Sequence, residues 1–243
     1  MAVNRPTILK CQRIRDDRQL DALLSSTKAY YDAFASGYVE FYKNWKSARD
    51  VFADADYKKG YDRVAEILTD IARPGHTLLD LGCGVGVWST LLAENGSQVV
   101  ALDSSLNCLR TCRQRATEIR IGSRVSLVLA DGFSLPFRVQ TFDGATLNWV
   151  LAHIPVQSSF EFLTGVGNVV KKNGWLVISD SYWRGQKGGK EQIQVRDTDE
   201  GTYEVYKYYY EPTELQDLIE RAFGSIDLLE NTDYELICVA KKE

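Results

Sequence analysis

Leu79-Asp80-Leu81-Gly82-Cys83-Gly84-Val85-Gly86 joins an apolar run to a turn with glycines at alternate positions. The run starts at His76 and continues through Thr77, Leu78, Leu79, Asp80 and Leu81, short and unbroken enough to read as a buried strand. Upstream, Tyr57, Tyr61, Val64, Ala65, Leu68 and Ile71 follow helical spacing, and Arg73-Pro74-Gly75 stops that helix. Helix, turn and buried strand therefore precede the glycines. At the carboxyl end of a strand in an open α/β sheet, such a turn sits where ligands bind, and residues without Cβ atoms let the backbone approach a ligand closely. The spacing is GxGxG with an aspartate two residues before the first glycine, which departs from the GxGxxG of dinucleotide binders.

Working outward, Val87–Glu94 reads as a helix ended by Asn95-Gly96, residues 98–102 as a strand, and Asp103-Ser104-Ser105 as the cap of a helix through about Ile119. Residues 125–130 and 142–147 read as two more strands, 158–170 as a helix, and 175–179 as a fifth strand. Strand and helix alternate, so a parallel sheet covered on both faces follows. After Asp180 the rhythm changes. Residues 183–199 are polar and rich in glycine and lysine, 203–210 look extended, and 212–223 form an amphipathic helix with Gly224 beyond its end. Strands at 225–230 and 234–241 are separated only by Asn231-Thr232-Asp233, too short for a parallel crossover, so they pair as an antiparallel hairpin. The expected fold is an α/β sandwich with a mostly parallel seven-stranded sheet ending in an antiparallel hairpin.

Composition narrows the function. Hydrophobic residues are 44% and charged residues 26% of the 243, an ordinary globular balance. A net charge of −4 and a pI near 5.4 give no attractive field for phosphate backbones, so a nucleic-acid partner is disfavoured. No segment has the roughly 18 apolar residues of a membrane span, and the N-terminal stretch lacks a signal-peptide core, so the expectation is a cytoplasmic protein with no membrane partner. Cys11, Cys83, Cys108, Cys112 and Cys238 form an odd set without a CxxC pair, which suits reduced thiols. His76 and His153 stand in no metal-ligand spacing, so no metal is expected. Oligomeric state is left open.

With the DLGCGVG turn at its head, the chain from about residue 57 to the end resembles the class I S-adenosylmethionine-dependent methyltransferases, which implies a Rossmann-like domain over 57–243 preceded by a helical cap or lid over 1–56. The resemblance implies S-adenosylmethionine as donor, S-adenosylhomocysteine as product, and a small-molecule acceptor methylated on oxygen or nitrogen. It places Asp80 near the donor's cationic amino group and Gly82, Cys83, Gly84 and Gly86 along the methionine moiety and ribose. Asp103, 21 residues after Gly82, would accept both ribose hydroxyls with Ser104 beside it, although it could also serve only as a helix cap. Asp131, Gly132 and Phe133 would surround the adenine, and Asn148 and Trp149 would stand near the transferred methyl. Tyr31 and Tyr38, within the aromatic segment 30–42, would cover the donor from above; Trp45 could belong to either lid or core.

On the acceptor side, His153 is the one imidazole near the expected site, either a general base or a residue packed before Pro155. In relatives, the segment corresponding to 181–211 builds the acceptor pocket, which implies Tyr182, Trp183, Arg196, Tyr206, Lys207 and Tyr208 as substrate-binding residues. Alternation sets Tyr206 and Tyr208 on one face and Lys207 on the other, and an aromatic wall beside Arg196 or Lys207 suits a planar or acidic molecule. Alternatives are a protein or RNA acceptor, for which Arg110, Arg113, Arg115, Arg120 and Arg124 would supply the patch, and a binding protein without turnover.

Overall fold

The computed structural model of the protein describes residues 7–9, 17–41 and 55–243. Cys11, Tyr42 and Trp45 lie outside the described residues. A short strand β1 (Thr7–Leu9) and helices α1 (Asp17–Ala33) and α2 (Ala35–Phe41) come first. Then α3 (Ala55–Ile71) leads into the alternating body: β2 (Thr77–Leu81), α4 (Val87–Glu94), β3 (Gln98–Asp103), α5 (Leu106–Glu118), β4 (Val125–Leu129), β5 (Phe142–Asn148), α6 (Ser159–Val169) and β6 (Val170–Ser181). After β6 come β7 (Glu191–Thr198), β8 (Gly201–Tyr208), α7 (Pro212–Ala222), β9 (Gly224–Asn231) and β10 (Glu235–Lys242).

Seven strands form one sheet in the order β4-β3-β2-β5-β6-β10-β9. The first five are parallel, and β10 runs antiparallel to both β6 and β9, as the three-residue link requires. Pleating divides the core. Leu78 of β2 points to the face covered by α3 and α4, whereas Leu79 and Leu81 point to the face covered by α6 and α7. The chain reverses its winding between β2 and β5, so the carboxyl ends of β2, β3 and β5 open onto one crevice.

The polar segment 183–199 is not the loop its composition suggests. Its second half is β7, which pairs antiparallel with β8 and with β1 in a separate three-stranded sheet. Gln192 and Gln194 are buried in that strand because their amides are hydrogen-bonded, Gln192 Nε2 to the carbonyls of Lys187 and Gly189, and Gln194 Nε2 to Gln192 Oε1 and the Tyr209 hydroxyl. A strand with amides on its buried face escapes a hydrophobic pattern. Helix α1 packs on β8, where the Ser26 and Thr27 hydroxyls accept the backbone N–H groups of Glu204 and Tyr206. Among the described residues, no helix is long and apolar enough to cross a membrane.

Candidate active site

The turn after β2 holds Gly82, Gly84 and Gly86 at φ of 71, 51 and 81°, in the left-handed region. Their surroundings differ. A Cβ on Gly86 would stand 2.3 Å from Cys112 Sγ on α5, and one on Gly82 would stand 2.4 Å from Val150 Cγ2, whereas one on Gly84 meets nothing within 4 Å. Two glycines close the turn against its neighbours, and the third faces a cavity.

Asp103, the last residue of β3, accepts the backbone N–H of Gly84 and of Ser105, each at 2.8 Å, one on each carboxylate oxygen. Burial raises its pKa despite these donors. Ser105 caps α5 by accepting the N–H of Cys108, so Asp103 is released from that task. Each Asp103 oxygen retains a lone pair for a further donor. Asp80 is 1% exposed beneath the turn, accepts the Ser89 hydroxyl at 2.5 Å, and is pushed by burial to about 7.

The cavity roof is α1. Leu24, Thr27, Lys28 and Tyr31 share one helix face at positions i, i+3, i+4 and i+7, and Tyr38 of α2 continues it. Two contacts fasten α1 over the crevice. Lys28 pairs with Asp131, and Asp32 accepts the Ser105 hydroxyl at 2.6 Å and the Asn107 side-chain amide at 2.9 Å. Burial alone would raise the Asp131 pKa, but Lys28 outweighs it and holds the carboxyl below the usual range.

His153 stands in the short turn after β5, half-buried and in the cavity wall. Its Nδ1 faces the Tyr206 carbonyl at 2.7 Å; a carbonyl only accepts, so Nδ1 carries the proton. Nε2 is then the acceptor for the Tyr31 hydroxyl at 2.6 Å. Burial, with Lys207 and Arg196 nearby, lowers the imidazole well below its ordinary pKa, and burial raises the Tyr31 phenol to about 12 even beside Arg196. Asn148 is fixed by Thr146 and Ser179, and Trp149 takes a φ of 57°, held by its N–H bond to the Ser179 carbonyl at 2.8 Å.

Tyr31, Tyr38, Gly82, Cys83, Gly84, Asp103, Ser104, Asp131, Gly132, Phe133, Asn148, Trp149 and His153 thus line one cavity, while Asp80 and Gly86 lie behind its wall. Lys28, Thr27, Leu24, Trp88, Cys108 and Phe162 also line it, and the sequence reading missed them.

The expected acceptor residues of 181–211 do not line this cavity. Tyr206 is fully buried against Leu23 and Ile193, with its hydroxyl on Glu191 at 3.0 Å. Lys207 is buried in an ion pair with Asp180 at 3.0 Å. Tyr208 lies in a separate groove with Tyr210 and Glu214. The Tyr182 hydroxyl donates to the Thr232 carbonyl, and the Trp183 N–H to the Tyr210 carbonyl. Arg196 reaches the back of Tyr31, 3.5 Å from its hydroxyl. β8 packs between α1 and the turn after β5, so Tyr206 fills that seam.

Residues 79–178 match the family model of a methyltransferase domain. Among curated proteins, demethylmenaquinone methyltransferase of Bacillus licheniformis is 28% identical over 145 residues, 58% of this chain and 60% of that protein. The enzyme of the same name from Corynebacterium kroppenstedtii is 34% identical over 108 residues, 44% of this chain and 43% of that one. The chain therefore spans 60% or less of these relatives' length. In structure it is similar to DhpI in complex with SAH, with a TM-score of 0.72 at 20% identity over 91% of this chain and 98% of that one. It is also similar to the Burkholderia thailandensis 1,6-didemethyltoxoflavin-N1-methyltransferase bound to 1,6-didemethyltoxoflavin and S-adenosylhomocysteine, with a TM-score of 0.67 at 20% identity, covering 98% and 94% of the two chains. At that identity the structural likeness shows a shared fold alone.

Proposed function

We propose, on the premise that this chain carries a class I methyltransferase domain, that it transfers a methyl group from S-adenosylmethionine to an oxygen or nitrogen of a small molecule. The observation that carries this reading is a single cavity at the carboxyl edge of the sheet, with Gly84 open toward it and the Asp103 carboxylate in its wall. The donor fits this cradle: the remaining Asp103 lone pairs suit the ribose hydroxyls, Gly84 leaves room for the backbone to approach, and Asp131 with Phe133 lines the same cavity where the adenine would lie. When bound, the donor supplies an electrophilic methyl on a sulfonium, which an acceptor lone pair takes in line as the carbon–sulfur bond breaks and a thioether remains.

What the chain's own residues supply is alignment and exclusion of water. The roof of α1 and α2 covers the cavity with Leu24, Tyr31 and Tyr38, and the fixed Asn148 and Trp149 form its floor. His153 is held neutral with its one acceptor atom engaged by Tyr31, so its part is to orient that phenol; an imidazole whose pKa is driven far below 6.5 is a weak base for a hydroxyl proton. Acceptors that arrive as neutral amines or as anions need no such base.

Calorimetry tests the reading. The protein should bind both S-adenosylmethionine and S-adenosylhomocysteine, and Asp103→Ala should weaken both alike, by about tenfold or more, because the ribose is common to them. An absence of binding to the intact chain, or full affinity in the variant, would refute it. With an acceptor identified by mass-spectrometric screening, His153→Ala should lower kcat less than tenfold once stability is accounted for.

A further inference from the structure

Arg196 is a half-buried guanidinium with no counter-ion among the described residues. From β7 it reaches the inner side of α1, where Nη2 donates to Gln194 Oε1 at 2.7 Å and Nη1 approaches the Tyr31 hydroxyl oxygen at 3.5 Å. Its plane lies 5.2 Å from the Tyr30 ring centroid, and its Nε is buried with no hydrogen bond. Among the described residues, no carboxylate forms an ion pair with it. The neighbouring buried cation, Lys207, already has Asp180 at 3.0 Å. Glu235, which feels Asp180 and Lys207, is kept largely neutral, its pKa pushed to about 8 by burial and by Asp180.

A guanidinium does not shed its proton in a protein, so titration cannot relieve the charge. Enclosing an unpaired ion is costly, and a ring contact such as that with Tyr30 offsets only part of that cost. Tyr31 does not serve as the anion, because burial keeps its phenol protonated. Yet Tyr31 and His153 are themselves cavity wall, so the guanidinium, which does not itself line the cavity, stands one side chain behind that wall at the long Tyr31 contact.

We propose that the methyl acceptor supplies the missing charge: it carries an oxyanion, a carboxylate or a phosphate-type group, which pairs with Arg196 beside Tyr31 and His153. This rests on the methyl-transfer reading of the cavity. Such a group can take two guanidinium donors side by side, a geometry an ammonium does not offer.

The test uses the full chain saturated with S-adenosylhomocysteine, titrated with benzoate, phenyl phosphate and the neutral benzamide. At least one anion should bind about tenfold tighter than benzamide, and the stronger of the two tells carboxylate from phosphate recognition. R196Q should abolish the preference while S-adenosylhomocysteine affinity stays within about twofold, and R196K should retain part of it. Equal binding of all three probes, binding of none, or an undiminished preference in R196Q overturns the proposal. Should R196Q not fold, the wild-type preference and its partial retention in R196K decide alone. Failure of S-adenosylhomocysteine to bind defeats the methyl-transfer reading and this inference together, whereas its binding without anion preference defeats only the counter-ion.

Discussion

Gly84 and Gly86 are two residues apart in the same turn, and the structure separates their tasks. Gly86→Ala forces a Cβ to 2.3 Å from Cys112 Sγ and 3.2 Å from the Cys112 backbone while keeping φ at 81°. Thermal unfolding should show a loss of about 2 kcal/mol or more. Gly84→Ala meets open space, so only the backbone cost of about 1 kcal/mol applies, and its larger effect should be on donor affinity. Equal melting temperatures for the two variants would contradict this division. The turn was legible because its residues are contiguous, and Asp103 because it lies a fixed strand–helix–strand interval away. The Tyr31–His153 bond joins positions 122 residues apart, and nothing local to either predicts it. Lys28 and Thr27 were within reach of sequence reasoning, for they lie three and four positions before Tyr31 on one helix and so share its face.

At the scale of elements, α1 packs on β8 outside the main core, through Leu23 and the Ser26 and Thr27 hydroxyls, and a few polar contacts fasten it over the crevice. Lys28 and Asp131 are both half exposed, so that pair alone holds α1 weakly, and the Asp32 bonds to Ser105 and Asn107 carry more of the attachment. Hydrogen exchange over 17–41 should therefore be faster than in β2 and β5 and should slow when S-adenosylhomocysteine is added, since the bound product would contribute a surface for Tyr31 and Tyr38. Protection confined to 82–86, with no change over 17–41, would show that these helices are part of the fixed scaffold and not a lid. The small sheet behind α1 was half legible. Tyrosine alternation revealed β8, but β7 hides its buried face in Gln192 and Gln194, whose amides satisfy one another and nearby carbonyls. Composition reports polarity, whereas burial here depends on partners that only the fold assembles.

Across the whole molecule, the topology that opens one crevice at the carboxyl edge also gathers buried acids there, and these set how stability responds to pH. The antiparallel hairpin was legible from the short Asn231-Thr232-Asp233 link, whereas the placing of β10 between β6 and β9, which brings Glu235 opposite Ser181 at that edge, was not. Glu235 packs so tightly against α3 that a Cβ on Gly60 would lie 2.6 Å from its Oε2. Its pKa in the folded chain, about 8, exceeds the ordinary 4.5, because burial disfavours its charge and Asp180 adds repulsion. Between those values the native state holds more protons than the unfolded state. The contribution of this group is therefore fully present below pH 4.5 and is lost as pH rises toward 8. Asp80 acts in the same sense between 3.8 and about 7, while His153, depressed by burial, acts in the opposite sense and costs stability as pH falls below 6.5. Glu235→Gln removes only the first of these. It should melt close to the wild type at pH 4.5 and progressively higher than it toward pH 8.5, with each kcal/mol worth roughly 2–4 °C in a chain of this size. Parallel melting curves for the two proteins across that range would mean that Glu235 ionises freely in the folded state, which its burial against Gly60 opposes.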